Sequence, residues 1–407
     1  MGIPGDREFR ALWLASAQSI VGDQLARVAL SVLVYQRTGS PVATAATYAL
    51  TMLPALVSGM LLAGLADRFP RRAVMVGCDL LRAIVVAGMA VPGVPLPVVA
   101  GLLVVAQLAE APFAAAQGAT LPLVLPGEAY ERGQRLMLVT HQAGLLAGFA
   151  GGGVLVGLLG THLSLAANAA TFLISAVLVR LAVRARPTAA EDTGDPPVGL
   201  RAQVTGGAHL IWSDRRLRVL VGLGWLAGFS VTPEGLAAPF ADEAGAGAAA
   251  VGWLLAADPA GMMLGAFLLG RLSTRWRLRL LGVLTVGTSL PLVAYLSSPP
   301  LAVALVLLAA SGLCSAYQIT AGATFVRLVP DTRRGQALGL ARSGMVAAQG
   351  LGVTAGGLLA GWLGSASAAI ACAGAAGTLV ALAAATAWSR IGADRMATTL
   401  ATHTRHR

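Results

Sequence analysis

The chain has 407 residues, of which 56% are hydrophobic and 12% are charged, and its formal net charge is +11. A soluble globular protein carries about 25% charged residues, so this composition excludes a water-soluble globular domain. Apolar runs of about 20 residues, the length that crosses a bilayer as a helix, indicate an all-α polytopic membrane protein instead.

Twelve apolar runs follow one another along the chain, and we predict a transmembrane helix in each. The first run is too long for a cleavable signal peptide and contains Asp23 and Arg27, so we expect no such peptide. In chain order the runs are 12–35, 42–66, 73–91, 97–125, 136–160, 163–183, 217–240, 248–270, 278–296, 300–326, 338–364 and 367–388.

The basic residues alternate between the two ends of these runs. All of them are arginines, and they cluster before the first run and after every even-numbered run, whereas the intervening loops hold almost none except Arg37. This positive-inside pattern predicts an inner (cytoplasmic) membrane protein with both termini in the cytoplasm. Because the charge forms no single basic face, we expect no nucleic-acid partner.

The two halves of the chain repeat each other. The echoes are GGVLVGLLG (152–160) with GGLLAGWLG (356–364), ERGQRLML (131–138) with RRGQALGL (333–340), and LADRF (65–69) with LSTRW (272–276). Duplicated six-helix halves are a transporter architecture. We therefore predict halves at 1–183 and 217–389, a cytoplasmic linker at 184–216 that contains a short interfacial helix, and a cytoplasmic tail at 390–407.

The segment AGLADRFPRR (63–72) between the second and third runs resembles the best-known signature of the major facilitator superfamily. The resemblance implies that Asp67, with Arg68, Arg71 and Arg72, forms a latch that closes the cytoplasmic side in one transport state. A carboxylate at a helix N-terminus is favourable, because that end carries partial positive charge. The second half has Thr274 at the equivalent position, so its latch should be weaker.

The fifth run resembles a second signature of the family, which is associated with exporters. Its glycines, and their counterparts in the second half, are Gly144, Gly148, Gly152, Gly153, Gly356 and Gly357. Phe149 stands where that signature has proline. Glycines also allow close helix packing, which is the alternative explanation. The first run resembles the drug and macrolide efflux branch, and siderophore exporters and lysophospholipid transporters begin similarly.

Two acids are predicted to lie near the middle of the bilayer, where charges are costly and usually functional. At a rise of about 1.5 Å per residue, Asp23 is roughly 17 Å into the first run and Glu110 roughly 20 Å into the fourth. Arg27 and Gln107 share helical faces with them. In the resembled fold, the first and fourth spans line the central cavity. One hypothesis is a proton-titratable pair with Arg27 as counter-charge; the alternative is a structural ion pair.

The second half offers fewer candidates for a proton or substrate site. Asp258 precedes Pro259 in the eighth run, so this step is either a site or a hinge. Glu234 is placed nearer the outer mouth of the cavity. Tyr317 and Gln318 give the tenth run a polar patch suited to substrate contact.

The remaining polar residues within the runs suggest structural roles. Asp79 and Arg82 lie three apart in the third run, and we predict that they pair with each other. Cys78, Cys314 and Cys372 fall inside runs without disulfide or metal spacing. We predict neither a metal nor a cofactor.

These features favour a secondary active transporter that works by alternating access. No ATP-binding motif is present in the sequence, so an ion gradient or the substrate itself must drive transport. The first hypothesis is proton-coupled efflux of hydrophobic drugs by a monomer whose partners are small-molecule substrates, protons and the lipid bilayer. Alternatives are uptake, siderophore export and lysophospholipid transport by the same fold, and more distantly a membrane-embedded enzyme.

Overall fold

The computed structural model describes residues 6–62, 68–186, 208–330 and 333–391, and the regular structure within these ranges is helical. Helices satisfy every backbone hydrogen bond within one segment, as the membrane interior requires. Eight of the described helices are long and apolar enough to cross a membrane, and a pair bent by 47° adds a ninth.

The first half of the chain forms six spans, which we number in chain order. Span 1 is Arg7–Thr38, span 2 is Pro41–Leu50 followed by Leu53–Leu61, span 3 is Arg71–Ala90, and span 4 is Leu96–Leu108 followed by Glu110–Val124. Spans 5 and 6 run through Glu128–Ala182, which is broken at Gly160, where φ is 82° and ψ is 172°. Glycine adopts such a positive φ without steric cost, so Gly160 separates the two spans.

The second half forms the other six spans. Span 7 consists of Arg215–Trp225, Ala227–Ser230, Thr232–Gly235 and Ala237–Glu243; span 8 is Ala248–Gly270; span 9 is Thr274–Ser289 continued by the 3₁₀ segment Leu290–Ser297; span 10 is Leu301–Ser315 and Tyr317–Leu328; span 11 is Arg334–Leu363; and span 12 is Ala366–Ser389. The prediction of a twelve-helix membrane protein is confirmed.

The linker and the tail lie largely outside the described residues. Of the predicted interfacial helix, residues 208–213 are described and are helical. The cytoplasmic tail is described only through Ile391.

Contacts divide the chain into two compact units. Unit 1 contains span 1, the second part of span 2, spans 3 to 6 and residues 247–256 at the start of span 8. Unit 2 contains residues 40–49 at the start of span 2, span 7, the rest of span 8 and spans 9 to 12. Each unit therefore contains one short segment from the opposite half of the sequence.

Glycines set the separation of spans 1 and 5 in unit 1. A Cβ atom on Gly144 would lie 2.8 Å from Cγ2 of Ile20, and one on Gly148 would lie 2.7 Å from Cβ of Gln24. These distances are shorter than any normal carbon contact, so no side chain fits. The helices are closely packed at these positions, in line with one of the two explanations for the glycine pattern.

Each unit contains a short segment from the opposite half of the sequence, and a glycine-rich helix packs against that segment. In unit 1, a Cβ atom on Gly153 would lie 2.5 Å from the carbonyl oxygen of Ala249 at the start of span 8. In unit 2, one on Gly357 would overlap the side chain of Ala45 at the start of span 2. The two echoed phrases therefore pack in similar ways.

Span 7 also caps the N-terminus of span 12 within unit 2. The carboxylate of Glu243 accepts hydrogen bonds from the backbone N–H groups of Ala366 and, at 3.0 Å, of Ser367. A carboxylate here satisfies donors that have no partner within the helix and complements the helix dipole. This contact fixes the end of span 7 against the start of span 12.

Candidate proton and substrate site

Span 4 is interrupted where Glu110 stands. Pro112 has no N–H group, so the carbonyl of Leu108, four residues earlier, loses its helical partner. The hydroxyl of Ser58 in span 2, which is fully buried, donates to that carbonyl at 2.5 Å. Glu110 begins the second segment of the span with an exposed side chain, and the half-buried Gln107 lies in the last turn of the first segment. The two residues therefore lie on either side of a gap in the helical hydrogen bonding, but Ala109 keeps an α-helical backbone conformation and both belong to the continuous span Leu96–Val124.

Asp23 is the centre of a group of charges within unit 1. Its carboxyl lies within electrostatic range of Arg82, Glu110, Arg27 and Asp79. The structure thus brings Asp23, Arg27 and Glu110 together. The sequence analysis did not include Arg82 in this group, since spacing along one helix cannot reveal a charge on another.

Arg82 and Asp79 form a buried ion pair in span 3, as predicted. An Nη atom of Arg82 lies 2.8 Å from an Oδ atom of Asp79, and the hydroxyl of Ser175 in span 6 donates to the other Oδ atom at 2.5 Å. The guanidinium also stacks between two aromatic rings, with its carbon 4.8 Å from the centroid of Phe113 and 4.5 Å from that of Phe172. Such contacts are attractive and stronger when desolvated, so the arginine is held on several sides.

The acids of the second half also lie near each other, within unit 2. Asp258 is half-buried in span 8, and the charge acting on it is Glu234 of span 7. The carboxylate of Glu234 accepts a hydrogen bond from the hydroxyl of Tyr48, whose side chain is buried. Glu234 was expected to lie at the rim; its contact with a tyrosine 186 positions away in the chain could not have been found from local spacing.

The surroundings of the Asp258–Pro259 step are tightly packed. A Cβ atom on Gly312 of span 10 would lie 2.7 Å from the carbonyl carbon of Asp258, and one on Gly261 would lie 2.7 Å from that of Ala309. The backbones of spans 8 and 10 are therefore in direct contact on both sides of Pro259.

The polar patch predicted on span 10 is only partly accessible. Tyr317 is buried, and its hydroxyl donates to the carbonyl of Leu223 in span 7 at 2.5 Å. Since this hydroxyl is already used in packing, the placement does not support substrate contact by Tyr317. Gln318 is half-buried and remains a candidate.

The arginines of the predicted cytoplasmic latch are described, whereas Asp67 lies outside the described residues. Arg68 is exposed. Arg71 donates to the carbonyl of Ala119 at 2.7 Å, and Arg72 donates to the carbonyl of Val183 at 3.2 Å. Arginines near helix C-termini satisfy free carbonyls and complement the dipole. These contacts tie the start of span 3 to the ends of spans 4 and 6.

A metal centre is not evident at these positions. Within the described ranges, His, Cys, Asp and Glu side chains form no group of three or more that could hold a metal ion.

A comparison with known protein families identifies the family of this chain. The profile of the Major Facilitator Superfamily matches residues 12–238 and residues 220–397. The chain belongs to the Major Facilitator Superfamily. It is a multi-pass membrane transporter of small molecules.

Relatives in sequence are named for drug efflux or drug resistance. The multidrug efflux pump Tap of Mycobacterium tuberculosis is 30% identical over 319 residues, which cover 74% of this chain and 74% of that protein. A chloramphenicol resistance protein of Streptomyces lividans is 30% identical over 327 residues, which cover 79% of this chain and 80% of that protein.

Solved structures of the superfamily share the fold. A POT family transporter in complex with 5-aminolevulinic acid has a TM-score of 0.74 at 12% identity and covers 97% of this chain and 98% of its own. The nucleoside transporter NupG has a TM-score of 0.70 at 14% identity, and the match covers 93% of this chain and 98% of that protein. At such identities the likeness concerns the twelve-helix fold alone.

Proposed function

We propose that this transporter exports hydrophobic drugs or related small molecules in exchange for protons. The observation that carries the direction and the substrate class is the 30% identity to drug efflux proteins over about three quarters of the chain. We further propose that it acts as a monomer in the inner membrane. The alternative functions are uptake, siderophore export and lysophospholipid transport.

The charges around Asp23 support proton coupling. Asp23, Asp79 and Glu110 carry three carboxylates, and Arg27 and Arg82 carry two guanidiniums. With all five groups charged, this part of unit 1 holds one negative charge in excess. An uncompensated charge within the membrane is costly, and one bound proton neutralises it. Among these groups the side chain of Glu110 is exposed, so we propose that protons enter and leave this part of unit 1 through Glu110.

A transport assay in inside-out vesicles tests this proposal. A panel of hydrophobic drugs is added to vesicles with an acidic lumen, and drug uptake and loss of lumenal protons are recorded together. We expect drug entry to be accompanied by proton release. Transport that proceeds without any proton movement would reject proton coupling, and accumulation in right-side-out vesicles would reject efflux.

The positive-inside pattern predicts that both termini are cytoplasmic. A reporter that is active only in the cytoplasm, fused after Arg407, should give full signal, because an even number of spans returns the chain to its starting side. The matched control is a reporter that requires the periplasm, at the same position. A strong signal from this second fusion would show that either the span count or the orientation is wrong.

The latch proposed from the family resemblance is tested at Asp67. Asp67→Asn keeps the shape of the side chain and removes the charge that should hold the cytoplasmic side closed, so transport should fall while the protein inserts and purifies normally. The equivalent change in the other half, Thr274→Asn, serves as the control and should transport at the parent rate. Parent-like transport by Asp67→Asn would show that the latch does not operate here.

A further inference from the structure

The first part of span 2, Pro41–Leu50, belongs to unit 2, although the chain on both sides of it belongs to unit 1. Before it, span 1 ends at Gly39, which has a φ of 59°. After it, the helix is interrupted until Leu53, and Pro54 has no N–H group to donate to the carbonyl of Leu50. Pro41–Leu50 is therefore a short helix with a break in the helical backbone at each end.

Span 8, the equivalent helix of the second half, shows a similar arrangement. Its first residues lie in 247–256, which belong to unit 1, whereas the rest of the span belongs to unit 2. Pro259 leaves the carbonyl of Leu255 without a helical donor. Pro54 and Pro259 lie 205 positions apart, close to the 204 positions between the two echoed glycine-rich phrases. The repeat thus places a proline beside each of the two exchanged segments.

The segment Pro41–Leu50 rests on glycines of spans 7 and 11 within unit 2. A Cβ atom on Gly361 would lie 2.7 Å from Cγ2 of Val42, and one on Gly235 would lie 3.5 Å from Cβ of Ala45. Side chains that interlock as ridges and grooves usually hold packed helices in place. Glycines offer no such ridges, so this surface allows close approach and also allows the segment to leave.

Tyr48 and Glu234 add a hydrogen bond to this contact. The hydroxyl of Tyr48 donates to the carboxylate of Glu234 in span 7, and Tyr48 is 1% exposed. An acid within the membrane is costly and usually functional, and close packing on glycines does not require one. Because hydrogen bonds to ionised acceptors are the strong ones, this bond stabilises the segment on unit 2.

We propose that Pro41–Leu50 is a detachable segment, which is docked on unit 2 in this structure and is released in the opposite transport state. Transporters with repeated halves work by rocking one bundle against the other, and a segment joined to unit 1 by the chain and to unit 2 by contact then changes its neighbours. Tyr48 and Glu234 are positioning residues that set the balance between the docked and the released segment. This inference goes beyond the proposed substrate and coupling ion and does not depend on either.

Alkylation of a buried cysteine measures the released fraction without any substrate. Thr44 is 1% exposed in the segment, and Thr44→Cys adds no bulk, so its thiol should react with N-ethylmaleimide only while the segment is released. The native cysteines are changed to alanine. Tyr48→Phe should raise the alkylation rate by about tenfold or more, because it removes a hydrogen bond to a charged group. Glu234→Leu should do the same, whereas Glu234→Gln keeps an acceptor and should give a smaller increase.

Two matched controls separate release of the segment from general loosening of the protein. Tyr295→Phe removes another buried hydroxyl of unit 2, which donates to the carbonyl of Ala304 at 3.0 Å, and it should leave the rate at Thr44→Cys unchanged. Thr288→Cys, in span 9 and 3% exposed, should react equally with and without Tyr48→Phe. Equal rates at Thr44→Cys in the parent and in Tyr48→Phe, or a parallel increase at Thr288→Cys, would overturn the inference.

A disulfide that fixes the segment tests its role in transport. The contact between Gly361 and Val42 puts Val42→Cys/Gly361→Cys within disulfide range. Oxidation of this pair should lower drug transport in the vesicle assay by about tenfold or more, and a reductant should restore it. In the control pair Gly282→Cys/Ala385→Cys, the two Cβ atoms would lie 3.2 Å apart between spans 9 and 12, and transport should persist in both redox states.

The disulfide result also distinguishes this inference from the proposed function. Parent-like transport by the oxidised Val42→Cys/Gly361→Cys protein would show that the segment does not need to leave unit 2. Transport that proceeds without proton movement, yet stops on oxidation of this pair, would reject the proposed coupling and support the detachable segment.

Discussion

Glu110→Gln is expected to abolish proton-driven extrusion while leaving drug binding and downhill exchange intact. The glutamine keeps the size and hydrogen-bonding capacity of the side chain but cannot release a proton. We propose Glu110 as the proton carrier, because it begins the second segment of span 4, just before Pro112, and its side chain is exposed. Drug accumulation in inside-out vesicles and drug binding in detergent, each measured from acid to alkaline pH, provide the two readouts.

The matched control for this variant is Gln107→Ala, in the last turn of the first segment of span 4. Gln107 carries no exchangeable charge, so Gln107→Ala should retain the pH response of the parent even if its affinity for the drug changes. Asp23→Asn should instead lower the yield of folded protein, because it withdraws a negative charge from the half-buried Arg27 and the buried Arg82. If drug binding by the parent does not depend on pH, or Glu110→Gln keeps the full pH response, Glu110 has no part in coupling, and Asp258 is the next acid to test.

Much of the architecture could be predicted because the bilayer imposes it. Span length follows from bilayer thickness, and the alternation of arginines follows from membrane insertion. The glycine pattern at Gly144 and Gly148 predicted close packing, since only a small residue lets two backbones approach. These are local signals, readable within one span or one loop.

The contacts of the site were harder to predict because they join distant positions. Spacing on span 1 pointed to Arg27 as the partner of Asp23, whereas Arg82 of span 3 also lies within electrostatic range of it. Likewise, Tyr317 was predicted to contact substrate because it is polar and lies within span 10. Its hydroxyl instead donates a hydrogen bond to the carbonyl of Leu223 in span 7. Helical periodicity says which face a side chain occupies, but not which neighbouring helix that face meets.

One feature missed from the sequence did have a local signal. Span 4 was predicted as a single run across 97–125, although Pro112 lies within it. A proline in a helix interior has no N–H group to donate to the carbonyl four residues before it. Here the carbonyl that loses its donor is that of Leu108. The break beside Glu110 was therefore foreseeable, whereas the hydroxyl of Ser58 that satisfies the carbonyl was not.

The largest effect on folding is expected from filling the contact between spans 1 and 5. A Cβ atom on Gly148 would lie 2.7 Å from Cβ of Gln24 and 2.8 Å from the carbonyl oxygen of Val21. Gly148→Leu must therefore push the two helices apart. Overpacking a core costs about 1–3 kcal/mol or more, against a total stability of about 5–15 kcal/mol, and here the backbone itself is in the way. We expect Gly148→Leu to yield little or no monodisperse protein in size-exclusion chromatography.

Gly151 provides the matched control on the same helix. A Cβ atom added there meets no other atom within 4 Å, so Gly151→Leu should insert, purify and transport like the parent. The alanine variants sharpen the comparison, because alanine favours a helix over glycine by about 1 kcal/mol. Gly151→Ala should raise the thermal midpoint in detergent, whereas Gly148→Ala should lower it despite the same gain in helix propensity. Equal midpoints for the two alanine variants, or a well-folded Gly148→Leu protein, would show that the packing of span 5 against span 1 is not as tight as described.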